Sequence, residues 1–331
     1  MDIKINKNSA YVLLQLLSGK DTATKIGQSM PSANIRTIQR GLNRLTELGI
    51  CIKHGSNHPT YSVNYKTLLY TNIADKLLEN EERPESTLNL AFIEWLGLLS
   101  PTDIDKLFAN DKFIVKFNNK HNTMTTKELE YLTVELSWKS SALEGNTYTL
   151  LDTQLLLIDG VRPNNRTEFE TQMIINHKNA VSFIIKNTEL FKGEVAFSTL
   201  EELHRIIAHN LGINTGVRKK LVKITASNYT PLANPYKIKE YANTVLAVIG
   251  NARDPFVRTL LALALIPYIQ IFEDGNKRTG RMLANALLIS SVGIGFSLRK
   301  VSPKQLALAY LSFYEFNSMA SLSKILKAEV Q

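Results

Sequence analysis

The residues best suited to chemistry crowd into one stretch, Gln270-Ile271-Phe272-Glu273-Asp274-Gly275-Asn276-Lys277-Arg278-Thr279-Gly280-Arg281. Asp274-Gly275-Asn276 is turn chemistry, because glycine takes positive φ freely and Asp and Asn bond to nearby backbone. Lys277 onward reads as a helix with Met282, Leu283, Ala286 and Leu287 on its buried side. At about 100° per residue, Lys277, Arg278 and Arg281 fall on one arc of its first turns. Three cations there oppose the macrodipole, whose N-terminal end is already positive. An exposed helix start satisfied by water is the plainer reading of the cations alone. The glycine turn favours an anion instead, and free N–H groups after such a turn make phosphate the expected one. Asp274, just outside, is placed to hold a Mg2+ that bridges phosphate oxygens. A second misplaced charge is Glu144, at the C-terminal end of a predicted helix, where the dipole disfavours a carboxylate. Pairing Glu144 with an arginine at another helix's start relieves both.

The stretch from Phe272 to Arg281 resembles the motif of the Fic family, usually His-x-Phe-x-(Asp/Glu)-Gly-Asn-(Gly/Lys)-Arg-x-x-Arg, and Ser140-Ser-Ala-Leu-Glu144-Gly145-Asn146 resembles that family's inhibitory-helix motif, (Ser/Thr)-x-x-x-Glu-(Gly/Asn). The resemblance covers residues 88–331, and many relatives also carry a winged helix. It implies an all-helical core that binds ATP with Mg2+ and transfers AMP to a hydroxyl of a target protein. It implies Asp274 as the Mg2+ ligand, Gly275 and Asn276 as a phosphate-holding anion hole, Arg278 as a phosphate contact and Arg281 as the clamp on the γ-phosphate. Ser140, Glu144, Gly145 and Asn146 would be regulatory, with Glu144 pairing with Arg281 and obstructing ATP. A hairpin from Val222 to Pro231, carrying Val222, Ile224, Thr225 and Tyr229, would be the flap that holds a target segment by strand pairing.

One position departs from the pattern. The family's motif opens with a histidine that deprotonates the target hydroxyl, and here that position is Gln270. An amide has no titratable nitrogen, and general-base catalysis contributes about 10²–10⁴-fold. His204 and His209 are five residues apart, roughly 140° around a helix, which favours neither a joint metal site nor a shared catalytic role. Lys277 replaces the commoner glycine, which in some relatives accompanies phosphate transfer. Three readings follow: a weak adenylyltransferase autoinhibited by Glu144, a nucleotide-sensing pseudoenzyme that regulates DNA binding or association, and a phosphotransferase or AMP-removing enzyme on the same scaffold.

The elements that must position these residues follow from composition and caps. The chain has 331 residues, 44% apolar and 21% charged, which excludes disordered and fibrous classes and suggests two domains. Cys51, the single cysteine, excludes a disulfide scaffold and fits a reducing compartment. The N-terminus lacks the features of a signal peptide, and the longest apolar run, Leu260 to Ile266, is too short to span a bilayer, so a cytoplasmic protein with no membrane partner is expected.

The net charge of +9 is uneven: residues 1–70 hold nine cations against three carboxylates, an asymmetry that suggests a nucleic-acid partner for that end. Residues 1–70 read as three helices and a hairpin, a winged helix-turn-helix in outline. Its third helix has Ile35, Ile38, Leu42 and Leu45 on one face and Arg36, Gln39, Arg40, Asn43 and Arg44 on another. Long donors of that kind suit phosphates and base edges of DNA. A solvated helix face is the alternative, and winged helices also serve as dimerisation modules, which leaves a homo-oligomer open. The acidic, proline-punctuated stretch near residues 79–86 marks a linker, 71–87, to a mainly α domain over 88–331. There Thr125-x-x-Glu128 is a capping box for the helix that ends at Glu144, and further helices are expected at 237–249, 256–268, 277–292 and 303–327.

Overall fold

A computed structural model describes residues 5–80, 82–108, 124–224 and 227–330. It opens with three helices, Lys7–Leu17 (α1), Ala23–Ser29 (α2) and Ile35–Glu47 (α3), then strands Cys51–His54 (β1) and Thr60–Val63 (β2). The Asn6, Thr22 and Asn34 side chains accept from the N–H groups of Ser9, Lys25 and Arg36, satisfying donors that a helix start leaves free. Gly49, at φ +69, turns the chain out of α3. β1 and β2 pair antiparallel, with Cys51 opposite Val63 and His54 opposite Thr60. Ile38, Leu42 and Leu45 are buried, whereas Ile35 remains 46% exposed at the helix start. Gly41 permits the close approach of α3 to α1, since a Cβ there would stand 2.9 Å from Val12 Cγ2.

The chain continues through helices Tyr65–Leu68 (α4) and Asp75–Leu78 (α5) and strand Ser86–Thr87 (β3). Helices Leu90–Gly97 (α6), Pro101–Phe108 (α7), Thr126–Ala142 (α8), Leu150–Ile158 (α9), Glu168–Lys186 (α10) and Phe197–Ala208 (α11) follow, then strand Tyr229–Thr230 (β4). Helices Pro235–Asn251 (α12), Pro255–Ile269 (α13), Asn276–Val292 (α14), Pro303–Phe316 (α15) and Ala320–Val330 (α16) complete it. The fold is mainly α. No helix among the described residues is long and apolar enough to cross a membrane.

Two compact units result. The first gathers Met1–Phe92, Val222–Pro231 and Lys304–Ser321. Its core joins residues of α1 and α3, such as Leu13 and Leu42, to Leu311 and Phe316 of α15. A buried bidentate pair, Arg83 Nε to Glu315 Oε2 at 2.6 Å and Nη2 to Oε1 at 3.0 Å, fixes the end of α15. The same carboxylate accepts from Ser227 Oγ and the Asn228 N–H, both at 3.3 Å.

Two expectations are corrected in this unit. Where the sequence suggests a hairpin from Val222 to Pro231, β4 pairs in parallel with β3, Tyr229 opposite Ser86. The Asn228 carbonyl receives the Ser86 N–H and the Thr230 carbonyl the Leu88 N–H, so this backbone finds its partners far away in sequence. Val222 and Ile224 are half-buried, Tyr229 is buried, and Thr225 lies outside the described residues. The helix expected over 303–327 is interrupted between α15 and α16, because Asn317 takes φ +52 while its Oδ1 accepts from Asn89 Nδ2 at 2.9 Å.

The second unit comprises Ile93–Leu221, Leu232–Pro303 and Leu322–Gln331. Its centre is α13, buried at every position from Phe256 to Ile269, as its lack of a polar face requires. Asp254 accepts from the Val257 N–H and Pro255 occupies the first turn of α13. α14 lies close beside it: a Cβ on Gly280 would stand 2.9 Å from Pro267 Cδ.

Candidate active site

The loop between α13 and α14 is held in an unusual path by its own polar groups. Gln270 ends α13 in the left-handed region, φ +52 and ψ +61, an uncommon conformation for a residue with a Cβ. Its amide is engaged at both ends: Nε2 donates to the Pro267 carbonyl at 2.6 Å, and Oε1 accepts from Asn276 Nδ2 at 3.1 Å. Asn276 also accepts from the Phe272 N–H and donates to the Phe272 carbonyl, both at 2.9 Å, so its side chain latches the loop. Arg218, 1% exposed, braces it from behind. Its Nε donates to the Gln270 carbonyl at 2.6 Å and its Nη1 to the Lys220 carbonyl at 2.8 Å, while Nη2 donates to the Leu232 carbonyl.

Gly275, at φ +80, turns the chain into α14, which has no side-chain cap. The Gly275 N–H donates to Asp274 Oδ1 at 2.5 Å, and Arg278 Nη2 lies 3.1 Å from Asp274 Oδ2. His204 of α11 stacks on Phe272 with ring centroids 3.7 Å apart and planes 6° from parallel. Its Nε2 donates to the Asp274 carbonyl at 3.0 Å. Burial pushes its pKa down to about 4, so this ring is a packed, neutral support for the turn. His209, which the sequence spacing sets apart from it, is exposed at the end of α11.

The capping box on Thr125 is formed at the start of α8, and the far end of that helix delivers Glu144 to α14. Glu144 Oε1 lies 2.7 Å from Arg281 Nη2, and Oε2 lies 3.4 Å from Lys277 Nζ. Arg281 also donates from Nε to Ser140 Oγ at 2.9 Å and from Nη2 to the Ser140 carbonyl at 3.0 Å. Burial alone would raise the Glu144 carboxyl, but Arg281, Lys277 and Arg278 outweigh it and hold the carboxyl below its ordinary value. Burial lowers the pKa of Arg278, against the pull of Asp274 and Glu144.

The chain beyond Glu144 is tied down at once. Gly145 takes φ +91, and Asn146 Nδ2 donates to the Glu170 carbonyl at 2.9 Å. The Thr147 hydroxyl and N–H both donate to Glu170 Oε1, at 2.6 and 2.9 Å. Glu170 also closes the capping box of α10. Bonds from Thr147 and the Thr167 cap bring its carboxyl down to about 2.

The structure therefore brings together Gln270, Asp274, Gly275, Asn276, Lys277, Arg278, Arg281, Ser140, Glu144, Gly145 and Asn146. The set Arg36, Gln39, Arg40, Asn43 and Arg44 is likewise exposed on one helix, α3, in the first unit. Arg278 Nη1 and Arg281 Nη1 are buried donors with no acceptor among the described residues, a deficit that an anion at the start of α14 would fill. No group of three or more His, Cys, Asp and Glu among the described residues can hold a metal alone. Asp274 is 68% exposed at its side chain and accepts from the Gly275 N–H and Arg278; the remaining lone pairs of its carboxylate would suit Mg2+ shared with phosphates and water. Arg218 and His177 were not singled out by sequence: an arginine in a loop and a histidine in an amphipathic helix carry no signal of their partners.

Residues 195–288, which span α11 through most of α14, match the Fic/DOC family. The chain carries a Fic domain. It is 24% identical over 178 residues to protein adenylyltransferase fic-1 of Caenorhabditis briggsae, covering 52% of this chain and 35% of that protein. It is 26% identical over 158 residues to protein adenylyltransferase Fic of Nematostella vectensis, covering 46% of this chain and 36% of that one. The matched stretch is thus about a third of those relatives' length. The fold is similar to that of a Fic family protein from Desulfovibrio desulfuricans G20, with a TM-score of 0.52 at 16% identity over 72% of each chain. The interlocked loop from Gln270 to Arg281 lies within the matched Fic segment, and Glu144 reaches it from outside, from residues N-terminal to 195.

Proposed function

We propose that the Fic domain binds ATP with Mg2+ at the start of α14 and transfers AMP to a hydroxyl of a target protein, slowly and under restraint by Glu144. The observation that carries this reading is the pair of buried N–H groups, Arg278 Nη1 and Arg281 Nη1, that find no acceptor among the described residues beside an uncapped helix start. Phosphoryl chemistry asks a protein chiefly for positioning and charge stabilisation. Gly275 and the first N–H groups of α14 cradle the phosphates, Lys277, Arg278 and Arg281 supply charge, and Asp274 supplies a carboxylate oxygen. Mg2+ bound there neutralises phosphate charge. The target oxygen bonds to the α-phosphorus, pyrophosphate leaves, and the hydroxyl proton passes to water, because the Gln270 amide has no basic atom. Glu144 occupies Arg281 and Lys277 and so competes with the terminal phosphate.

A second reading is favoured by one observation, the bonding of the Gln270 amide at both ends. A side chain so committed suits a site that binds nucleotide without turnover and acts as a sensor. In either reading the first three helices and the β1–β2 ribbon form a winged helix-turn-helix that docks α3 on DNA through Arg36, Arg40 and Arg44. The distinguishing experiment is intact-mass measurement after incubation with ATP and Mg2+, with ATP binding measured beside it. For the transferase, Glu144→Ala gains an AMP-sized increment, and Glu144→Ala/Gln270→His gains it about 10²–10⁴ times faster. An increment only in the double variant supports the sensor. A phosphate-sized increment reassigns the chemistry to phosphate transfer. Absence of ATP binding in every variant refutes both readings.

A further inference from the structure

His177 is fully enclosed on α10 and takes no part in the chemistry above. Its Nδ1 lies 2.8 Å from the Met173 carbonyl, one turn earlier, and 3.2 Å from Ser141 Oγ. Its Nε2 lies 2.8 Å from Ser140 Oγ. A carbonyl only accepts, so the network assigns the ring proton to Nδ1 and leaves a lone pair on Nε2. Burial keeps this ring neutral, with a pKa pushed down to about 3. The Ser140 hydroxyl must then donate to Nε2, which turns its oxygen lone pairs toward the Arg281 Nε at 2.9 Å. Together with the Ser140 carbonyl, that oxygen fixes the guanidinium plane and aims Nη2 at Glu144.

We propose that His177 is a positioning residue for the inhibitory contact: it orients the Ser140 hydroxyl so that Arg281 is held where Glu144 pairs with it. Without an acceptor at Nε2 the hydroxyl can rotate among its staggered wells, and in some of these its own proton meets the Arg281 Nε–H. The inference rests on the reading in which Arg281 receives nucleotide phosphate. It also gives a reason for a hydroxyl residue four positions before Glu144.

The test is calorimetric ATP affinity of the full chain, with Mg2+, for His177→Gln and His177→Asn, each with Glu144 and with Glu144→Ala. A glutamine amide oxygen reaches the place of Nε2 and preserves the acceptor. An asparagine amide reaches only the place of Nδ1 and preserves the bond to Met173 alone. With Glu144 present, His177→Asn tightens ATP binding about 2- to 10-fold, the worth of one intramolecular hydrogen bond, and His177→Gln stays within about twofold of wild type. With Glu144→Ala the tightening by His177→Asn disappears. Should His177→Asn fail to fold, Ser140→Ala gives the same tightening, and Ser140→Thr restores wild-type affinity. The proposal is overturned if Asn and Gln act alike, if the change is equal in both backgrounds, or if Ser140→Ala leaves affinity untouched. Failure of the underlying reading shows separately, as no tightening of ATP by Glu144→Ala alone.

Discussion

Removing the Glu144 carboxylate is the perturbation whose size the structure sets most closely. Arg281 is 1% exposed and Glu144 20% exposed at its side chain, and the two meet at 2.7 Å. Among the described residues, Glu144→Ala leaves the guanidinium with Ser140 as its one partner, in a place water barely reaches. Breaking a buried pair on one side costs about 3–5 kcal/mol, and the partial access of water at Glu144 brings this to about 2–3 kcal/mol. Lys277, 39% exposed and 3.4 Å away, adds no more than about 0.5 kcal/mol. At about 2–4 °C per kcal/mol for a unit of this size, the midpoint of thermal unfolding falls by about 4–12 °C.

ATP should reverse the loss in the variant, because phosphate oxygens replace the carboxylate. At about 100 times its Kd a ligand returns about 2.7 kcal/mol. Wild type shows a much smaller ATP shift, since the nucleotide must first displace Glu144. The assay is differential scanning calorimetry with and without ATP and Mg2+. A variant midpoint unchanged within about 2 °C would show that Glu144 is not clamped. Equal ATP shifts in the two proteins would show that Arg281 is not where phosphate binds.

Three further outcomes are expected. Arg83→Ala removes the cation from the Glu315 carboxylate, 0% exposed, leaving it the longer bonds from Ser227 and Asn228, and should destabilise the first unit by about 3–5 kcal/mol; chemical denaturation measures it, and a loss under about 1 kcal/mol refutes the account. Arg36→Ala, Arg40→Ala and Arg44→Ala together remove only exposed side chains, so stability should stay within about 0.5 kcal/mol per substitution, while DNA affinity and the steepness of its salt dependence both fall; unchanged binding at low salt counts against α3 as the DNA-contacting helix. His177 and His204, at about 3 and about 4, bind fewer protons folded than unfolded below about pH 6.5. Stability should therefore be flat above about pH 7 and decline as pH falls from about 6.5 toward 4; a thermal midpoint that does not move over that range contradicts their buried, neutral state.

The candidate site was legible in the sequence because its charges stand where helix dipoles disfavour them. Lys277, Arg278 and Arg281 at a helix start and Glu144 at a helix end ask for partners, and the structure places Glu144 against two of those cations. The start of α8 was legible for a similar reason, since the Thr125 capping box holds an orphan N–H. The parallel pairing of β3 with β4 was not, because two-residue strands carry no period and their partner lies over a hundred residues away. Nor was the break at Asn317, where a bond from Asn89 accompanies a left-handed backbone. Gln270 reads in sequence as a lost base; its second character, an amide that ties Pro267 to Asn276, is visible only in three dimensions.

The threading of the first unit bears on how the protein is made. Its buried pair joins Arg83 to Glu315, 232 residues apart, and its core takes Leu311 and Phe316 from the same distant helix. At about 5–20 residues per second of synthesis, roughly 10–50 s pass between the two partners. During that interval α1 to α3 exist without the floor that α15 provides, and Arg83 waits without its carboxylate. The unit that holds α1 to α3 is thus still open when most of the residues up to Glu315 have left the ribosome. A nascent chain stopped before residue 303 should remain sensitive to protease within residues 5–80, long after its first helices have been translated.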